Sequence, residues 1–143
     1  SDVCSSDLVT GTVVVDASFV MALLTNGDDA IATWARDLID GADLVAPHLM
    51  PVEVTSALRT AERRELLAPE PAALAHRDLV ELDVELHSFE PFASRVWELR
   101  HSVPPYDAWY LALAERLDVP LATLDRRLTR TADARCEFSL PPL

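Results

Sequence analysis

A chain of 143 residues, half of them hydrophobic, has length for one domain with a real core and little room for a second. Its formal net charge of −12 argues against a general nucleic-acid coat, which draws on Lys and Arg to neutralise phosphate. No apolar stretch approaches the roughly 18 to 20 residues that a bilayer span requires, so the composition is that of a soluble globular protein with no membrane role.

The first residues, "SDVCSSDLVTG", have neither a basic region nor a long apolar core and are not an export signal. We read residues 1–11 as a non-native or disordered leader and place a single domain at 12–143. Cys4 and Cys136 are too few and too far apart for a disulfide scaffold, which sets the expectation of a reducing, cytoplasmic setting.

"TVVV" is a β-branched run that suits a buried parallel strand, and it stops at Asp16. In "DDAIATWARDLIDG", Ile31, Trp34, Ala35 and Leu38 recur at helical spacing, with Asp28 and Asp29 in the first turn and Gly41 to close the helix. "LVAP" reads as a second strand. "PVEVTSALRTAERRELL" sets Val52, Ala57, Leu58 and Ala61 against Arg59, Arg63 and Arg64, a helix with one wet face that Pro69 and Pro71 end. "ALAHRDLVELDVEL" restarts helix, "HSFE" is read as the third strand, and "PFASRVWELRHS" is helix with Pro91 in its first turn. A helix over Pro105 to Leu117 leads into "PLATL", a fourth strand, then a short helix from Asp125 and "CEFSL" as an edge strand. Strands alternating with helices in this way predict an α/β domain with a mainly parallel sheet of four or five strands.

Ligands of such sheets sit outside the carboxyl ends of the strands, where strand order reverses. Asp16 and Asp125 follow two predicted strands, and Glu53 and Asp107 fall in the first turns of helices that start at the same rim. Three of the acids also have a plain structural role, whereas Asp16, after three valines, is hard to explain as a solvated surface acid. Glu53 and Asp107 suit the positive end of a helix dipole, and Asp125 suits an N-cap. If the four carboxylates meet, they repel and raise one another's pKa. A hard divalent cation such as Mg²⁺ or Mn²⁺ reverses that sign, because it takes oxygen ligands and makes one acidic place attractive to phosphate.

Other chemistries find less support. His48, His76, His87 and His101 lack zinc-ligand spacing. Three glycines leave no phosphate-cradling loop, and neither cysteine has a nearby partner for thiol catalysis. Arg59, Arg63 and Arg64, like Arg126, Arg127 and Arg130, suit either RNA backbone contact or a solvated face. Trp34, Trp97 and Trp109 read as core or interface aromatics.

"VVVDAS" at Asp16, "PVEVTSALR" at Glu53, "YDAWYLALAERLDVPLATLD" from Asp107 to Asp125 and the trailing "RRL" together resemble PIN-domain ribonucleases. Within these the chain is similar to the VapC toxins of type II toxin–antitoxin systems, over about residues 12 to 140. The resemblance implies a PIN-like three-layer α/β/α fold. It implies a Mg²⁺-dependent endoribonuclease, Mn²⁺ being the other candidate ion, that hydrolyses RNA phosphodiesters without a covalent enzyme intermediate. Asp16, Glu53, Asp107 and Asp125 would be both catalytic residues and metal ligands. Asp16 and Asp107 would be the steadiest ligands, Asp125 would complete the site, and Glu53 would bind directly or through water. Ser18 and Thr123, flanking the first and last acids, are expected to orient them by hydrogen bonds. The resemblance further implies a homodimer and a small antitoxin partner whose tail blocks the site with an arginine among the carboxylates. The helix faces at Trp34 and at Val52 to Leu58 are apolar enough to seat a partner helix. The alternative is a non-catalytic metal-binding regulatory or interaction domain. A receiver-like module would want a lysine by the phosphate, and the chain has none; a degenerate PIN domain would want a missing acid, and all four are present.

Overall fold

Val13, Val14 and Val15 are buried almost completely, and they make β1 (Thr12–Val15) the centre of a five-stranded sheet in the computed structural model, which describes residues 11–143. The leader expected at 1–11 thus lies, save for Gly11, outside the described residues. After β1 come α1 (Ala17–Thr25), α2 (Ala30–Ile39), β2 (Asp43–Pro47), α3 (Met50–Arg63), α4 (Pro69–Glu81) and β3 (Val84–His87). A 3-10 turn at Glu90–Phe92 leads to α5 (Ala93–Glu98), α6 (Pro105–Leu117), β4 (Leu121–Ala122), a second 3-10 turn at Arg126–Arg130, and β5 (Phe138–Ser139).

The strand order is β3-β2-β1-β4-β5 and every pairing is parallel. Val14 lies opposite Val45 on one side and Leu121 on the other. From β1 the chain builds outward to β3, then returns to the other side of β1 for β4 and β5, so strand order reverses between β1 and β4. Right-handed crossovers in the two directions put their helices on opposite faces. The packing agrees. α1 packs on α2, α3 and α4, while α6 lies against β1, β2 and β4 with α5 beside it. Buried Ala108, Tyr110, Leu111, Ala112, Leu113 and Ala114 make α6 apolar on most of its circumference, as a helix between sheet and neighbours must be.

Three elements differ from the sequence reading. "ASFVMALLT", to which no element is assigned above, is α1. Its start is fixed by Asp16, whose side chain accepts a hydrogen bond from the Phe19 N–H at 2.9 Å. The third strand is Val84–His87 rather than "HSFE". The helix before it stops at Glu81, Leu82 turns extended, and β2 supplies a parallel partner that pairs Leu44 with Val84 and Pro47 with His87. Pro91 then favours the turn at Glu90–Phe92 over further strand. Pro69 opens α4 at its first helical position, where the missing N–H removes no helical bond.

Candidate active site

The reversal between β1 and β4 is where the site lies. Asp16 follows β1 directly, and its backbone N–H donates to Ala122 O of β4 at 3.3 Å. Its carboxylate is buried, and Oδ1 accepts from the Ser18 hydroxyl at 2.7 Å and from Phe19 N–H at 2.9 Å. Ser18 Oγ also accepts from Leu124 N–H at 2.9 Å and lies 3.4 Å from Thr123 Oγ1. Thr123, fully buried, accepts from Asp125 N–H at 2.9 Å. The two hydroxyls thus tie the ends of β1 and β4 together, Ser18 through the Asp16 carboxylate and Leu124 N–H and Thr123 through Asp125 N–H.

Glu53 sits in the first turn of α3, which begins just past the end of β2, and Oε1 accepts the Tyr110 hydroxyl at 2.6 Å. Asp107 sits in the first turn of α6, half-buried, and no described residue donates a hydrogen bond to it. Asp125 caps the 3-10 turn that follows β4. Its Oδ1 accepts from Arg127 N–H and Nε, both at 3.0 Å, and Oδ2 accepts from Arg127 NH2 at 2.7 Å. The structural roles foreseen for Asp107 and Asp125 are therefore present together with their place at the rim.

Electrostatics link the four. Burial raises the Asp16 carboxyl above its ordinary value, and the Asp107 charge adds to the rise. Burial likewise raises Glu53, with Asp107 and Asp16 adding to it while the Tyr110 hydroxyl opposes it. Asp107 is raised by burial and then by Asp125. Asp125 moves the other way, because the Arg127 guanidinium favours its ionised form. Three of the carboxylates are thus desolvated and in mutual repulsion, which on its own is unfavourable.

The donor set is all oxygen, which fits a hard divalent cation and does not fit zinc's preference for nitrogen and sulfur. Among the described residues no three His, Cys, Asp or Glu side chains form a ready-made ligand group. Tyr110 engages one Glu53 oxygen and Arg127 both oxygens of Asp125. Asp107, the second Glu53 oxygen and the Asp16 oxygen outside its cap are the uncommitted donors among the described residues.

Tyr110 and the particular role of Arg127 escape sequence reasoning. Tyr110 stands three residues beyond Asp107 on the same helix face, a spacing open to inspection, but its partner Glu53 lies on another element. Tyr110→Phe is expected to keep the fold, since the buried ring remains, and to lower the activity of the site about tenfold. Losing the hydroxyl removes a bond that favours ionised Glu53, so the acid limb of the pH–rate profile should move to higher pH. An unchanged profile would deny Tyr110 this role.

Among the aromatics, Trp34 packs edge-on against Phe19 and Trp109 against Phe89, each pair 5.3 Å apart. Of the two readings, core or interface, Trp97 does not fit the core: it is 67% exposed with Arg100 stacked on it. Arg59 and Arg63 on α3 and Arg64 at its C-cap are exposed. No described helix is long and apolar enough to cross a membrane.

What fold and rim define is a parallel α/β domain with carboxylates gathered at the switch point of its sheet. A family model described as PIN domain matches residues 13–134. Ribonuclease VapC9 of Mycobacterium tuberculosis is 36% identical over 130 residues, covering 91% of this chain and 98% of that protein. Ribonuclease VapC1 of the same organism is 40% identical over 128 residues, covering 89% and 96%. The solved structure of VapBC2 from Rickettsia felis, bound to a DNA fragment from their promoter, is similar in fold with a TM-score of 0.67 at 10% identity, over 92% of this chain and 99% of that one. The chain belongs to the PIN-domain family, among its VapC ribonucleases.

Proposed function

We propose that this protein is a metal-dependent endoribonuclease that hydrolyses RNA phosphodiester bonds as the toxin of a toxin–antitoxin pair. The observation that carries the reading is that Asp16, Glu53 and Asp107 lie near enough at the switch point for their charges to repel, in a chain related to VapC ribonucleases along most of its length. Mg²⁺, or Mn²⁺ in its place, would supply the positive charge that offsets a phosphodiester and the acidity that makes water a nucleophile at neutral pH. Asp16 and Asp107 are its first holders in this reading, with Asp125 and Glu53 completing the set. Ser18 fixes the Asp16 carboxylate, Thr123 holds the Asp125 backbone, Tyr110 fixes Glu53, and the caps keep Asp16 and Asp125 at the strand ends. A receiver-like regulatory domain would want a lysine beside the phosphate, and the chain has none.

An antitoxin is the expected protein partner, and the VapBC2 neighbour supports that setting. A homodimer working in the cytoplasm completes the proposal. Sequencing RNA ends from cells after induced expression is the test. The wild-type chain should create discrete new ends, and the Asp125→Asn variant should not; identical end profiles in both would overturn the nuclease reading.

Metal dependence also has a pH signature. For Asp16, Glu53 and Asp107 the folded values are raised, so their stabilising contribution is full below the ordinary carboxylate range and is lost as pH rises through the raised values. Asp125, lowered, contributes above the ordinary range and loses that contribution as pH falls. A bound cation needs the ionised forms. Thermal melts with and without Mn²⁺ should therefore diverge as pH is raised above the ordinary carboxylate range. A gap that is constant with pH would contradict the site.

A further inference from the structure

Arg127 is an exposed arginine whose side chain is turned back onto the acid cluster. Three of its donors bind the Asp125 carboxylate, the backbone N–H and Nε on Oδ1 and NH2 on Oδ2. Its side chain is 82% exposed while that of Asp125 is 25% exposed, so the guanidinium stands on the solvent side of the carboxylate it holds. Its neighbours are engaged otherwise: Arg126 reaches Pro141 O, and Arg130 lies exposed. Among the described residues, no other cation contributes to the electrostatics of the four acids.

Two chemical facts bear on this arrangement. An ion pair this exposed is weakly held and is exchanged readily for a stronger partner. A guanidinium fork matches a phosphate as well as it matches a carboxylate. A divalent cation taking Asp125 competes for the oxygens that Arg127 occupies, and it repels the guanidinium as a like charge. An arginine so released remains tethered two residues from Asp125, at the mouth of the site.

We propose that Arg127 is the exchangeable counter-ion of the acid cluster: it neutralises Asp125 in the metal-free protein and, displaced by the metal, binds a phosphate of the RNA. The proposal rests on the reading of the cluster as a metal centre. It gives one residue two effects of opposite sign, on metal and on RNA, which a purely structural surface pair would not produce. It also assigns the second arginine cluster, left open between RNA contact and solvated face, to the substrate through one named member.

The test uses the full chain, Arg127→Ala and Arg127→Lys, with Mn²⁺ affinity measured by electron paramagnetic resonance of the free ion, independent of activity. Arg127→Ala should bind Mn²⁺ more tightly, by about threefold, the scale of an exposed ion pair. For a single-stranded RNA substrate its KM should rise, and the slope of log KM against log salt should fall by about 0.7, the loss of one phosphate contact. Arg127→Lys, which keeps the charge and loses the fork, should restore the salt slope while leaving KM raised. Mn²⁺ affinity unchanged or weaker in Arg127→Ala overturns the counter-ion role, and an unchanged salt slope overturns the phosphate role. If Asp107→Asn binds Mn²⁺ as well as the wild type does, the metal-centre reading fails and this proposal with it.

Discussion

Asp16→Asn is expected to lower RNA cleavage by at least about 100-fold, the upper end of what loss of an orienting partner around a metal costs, while raising the melting temperature of the metal-free protein. Asparagine is isosteric and remains a good N-cap, so the bond from Phe19 N–H and the start of α1 survive. What disappears is a buried charge that burial and Asp107 both disfavour. The gain should be a few degrees, roughly 2–5 °C for a chain of this size. Asp125→Asn should act in the opposite direction on stability, because Arg127 favours the ionised carboxylate there. Paired thermal melts in chelator, with cleavage assays in Mn²⁺, check both signs; a destabilised Asp16→Asn would mean that the acid cluster is not under strain.

Phe19→Ala is expected to destabilise the domain by about 3–5 kcal/mol, the usual cost of truncating a large buried aromatic. Phe19 is fully buried and packs edge-on against Trp34 of α2 at 5.3 Å. Its N–H is also the donor that Asp16 caps, so the same residue anchors α1 in the core and fixes the first acid of the site. Against a typical total stability of about 5–15 kcal/mol, the loss should be visible as a large drop in the urea midpoint. Trp97→Ala, at a 67% exposed position, should stay within about 0.5 kcal/mol. Equal losses at the two positions would contradict the core described above.

The strands were legible where residue type and position agreed. "TVVV" is β-branched and buried on both faces at the sheet centre, and "LVAP" beside it follows the same logic. β3 lies at the sheet edge with Glu85 and Leu86 exposed, so no apolar run marks it, and the reading slid toward "HSFE". α1 was hidden for the opposite reason. "ASFVMALLT" is apolar on nearly every side, so it shows no helical periodicity, and only the cap at Asp16 reveals where it starts.

The four acids were legible because each follows a strand or opens a helix at one rim, and the sheet's reversal between β1 and β4 brings those places together. Their partners were not. Tyr110 meets Glu53 across two helices that are 57 residues apart in sequence. Arg127 lies two residues from Asp125, yet nothing in a run of arginines says which one turns back onto the acid. Contacts of that kind depend on side-chain direction, which spacing alone does not encode.

The most direct measurement is cleavage of RNA by the purified chain in Mg²⁺ or Mn²⁺ beside the Asp107→Asn variant, which removes the acid that no described donor engages. The wild type should cut RNA internally, with activity lost in chelator and restored by either ion, while Asp107→Asn should be inactive though folded. Equal cleavage by the two proteins would contradict an active site built on these carboxylates.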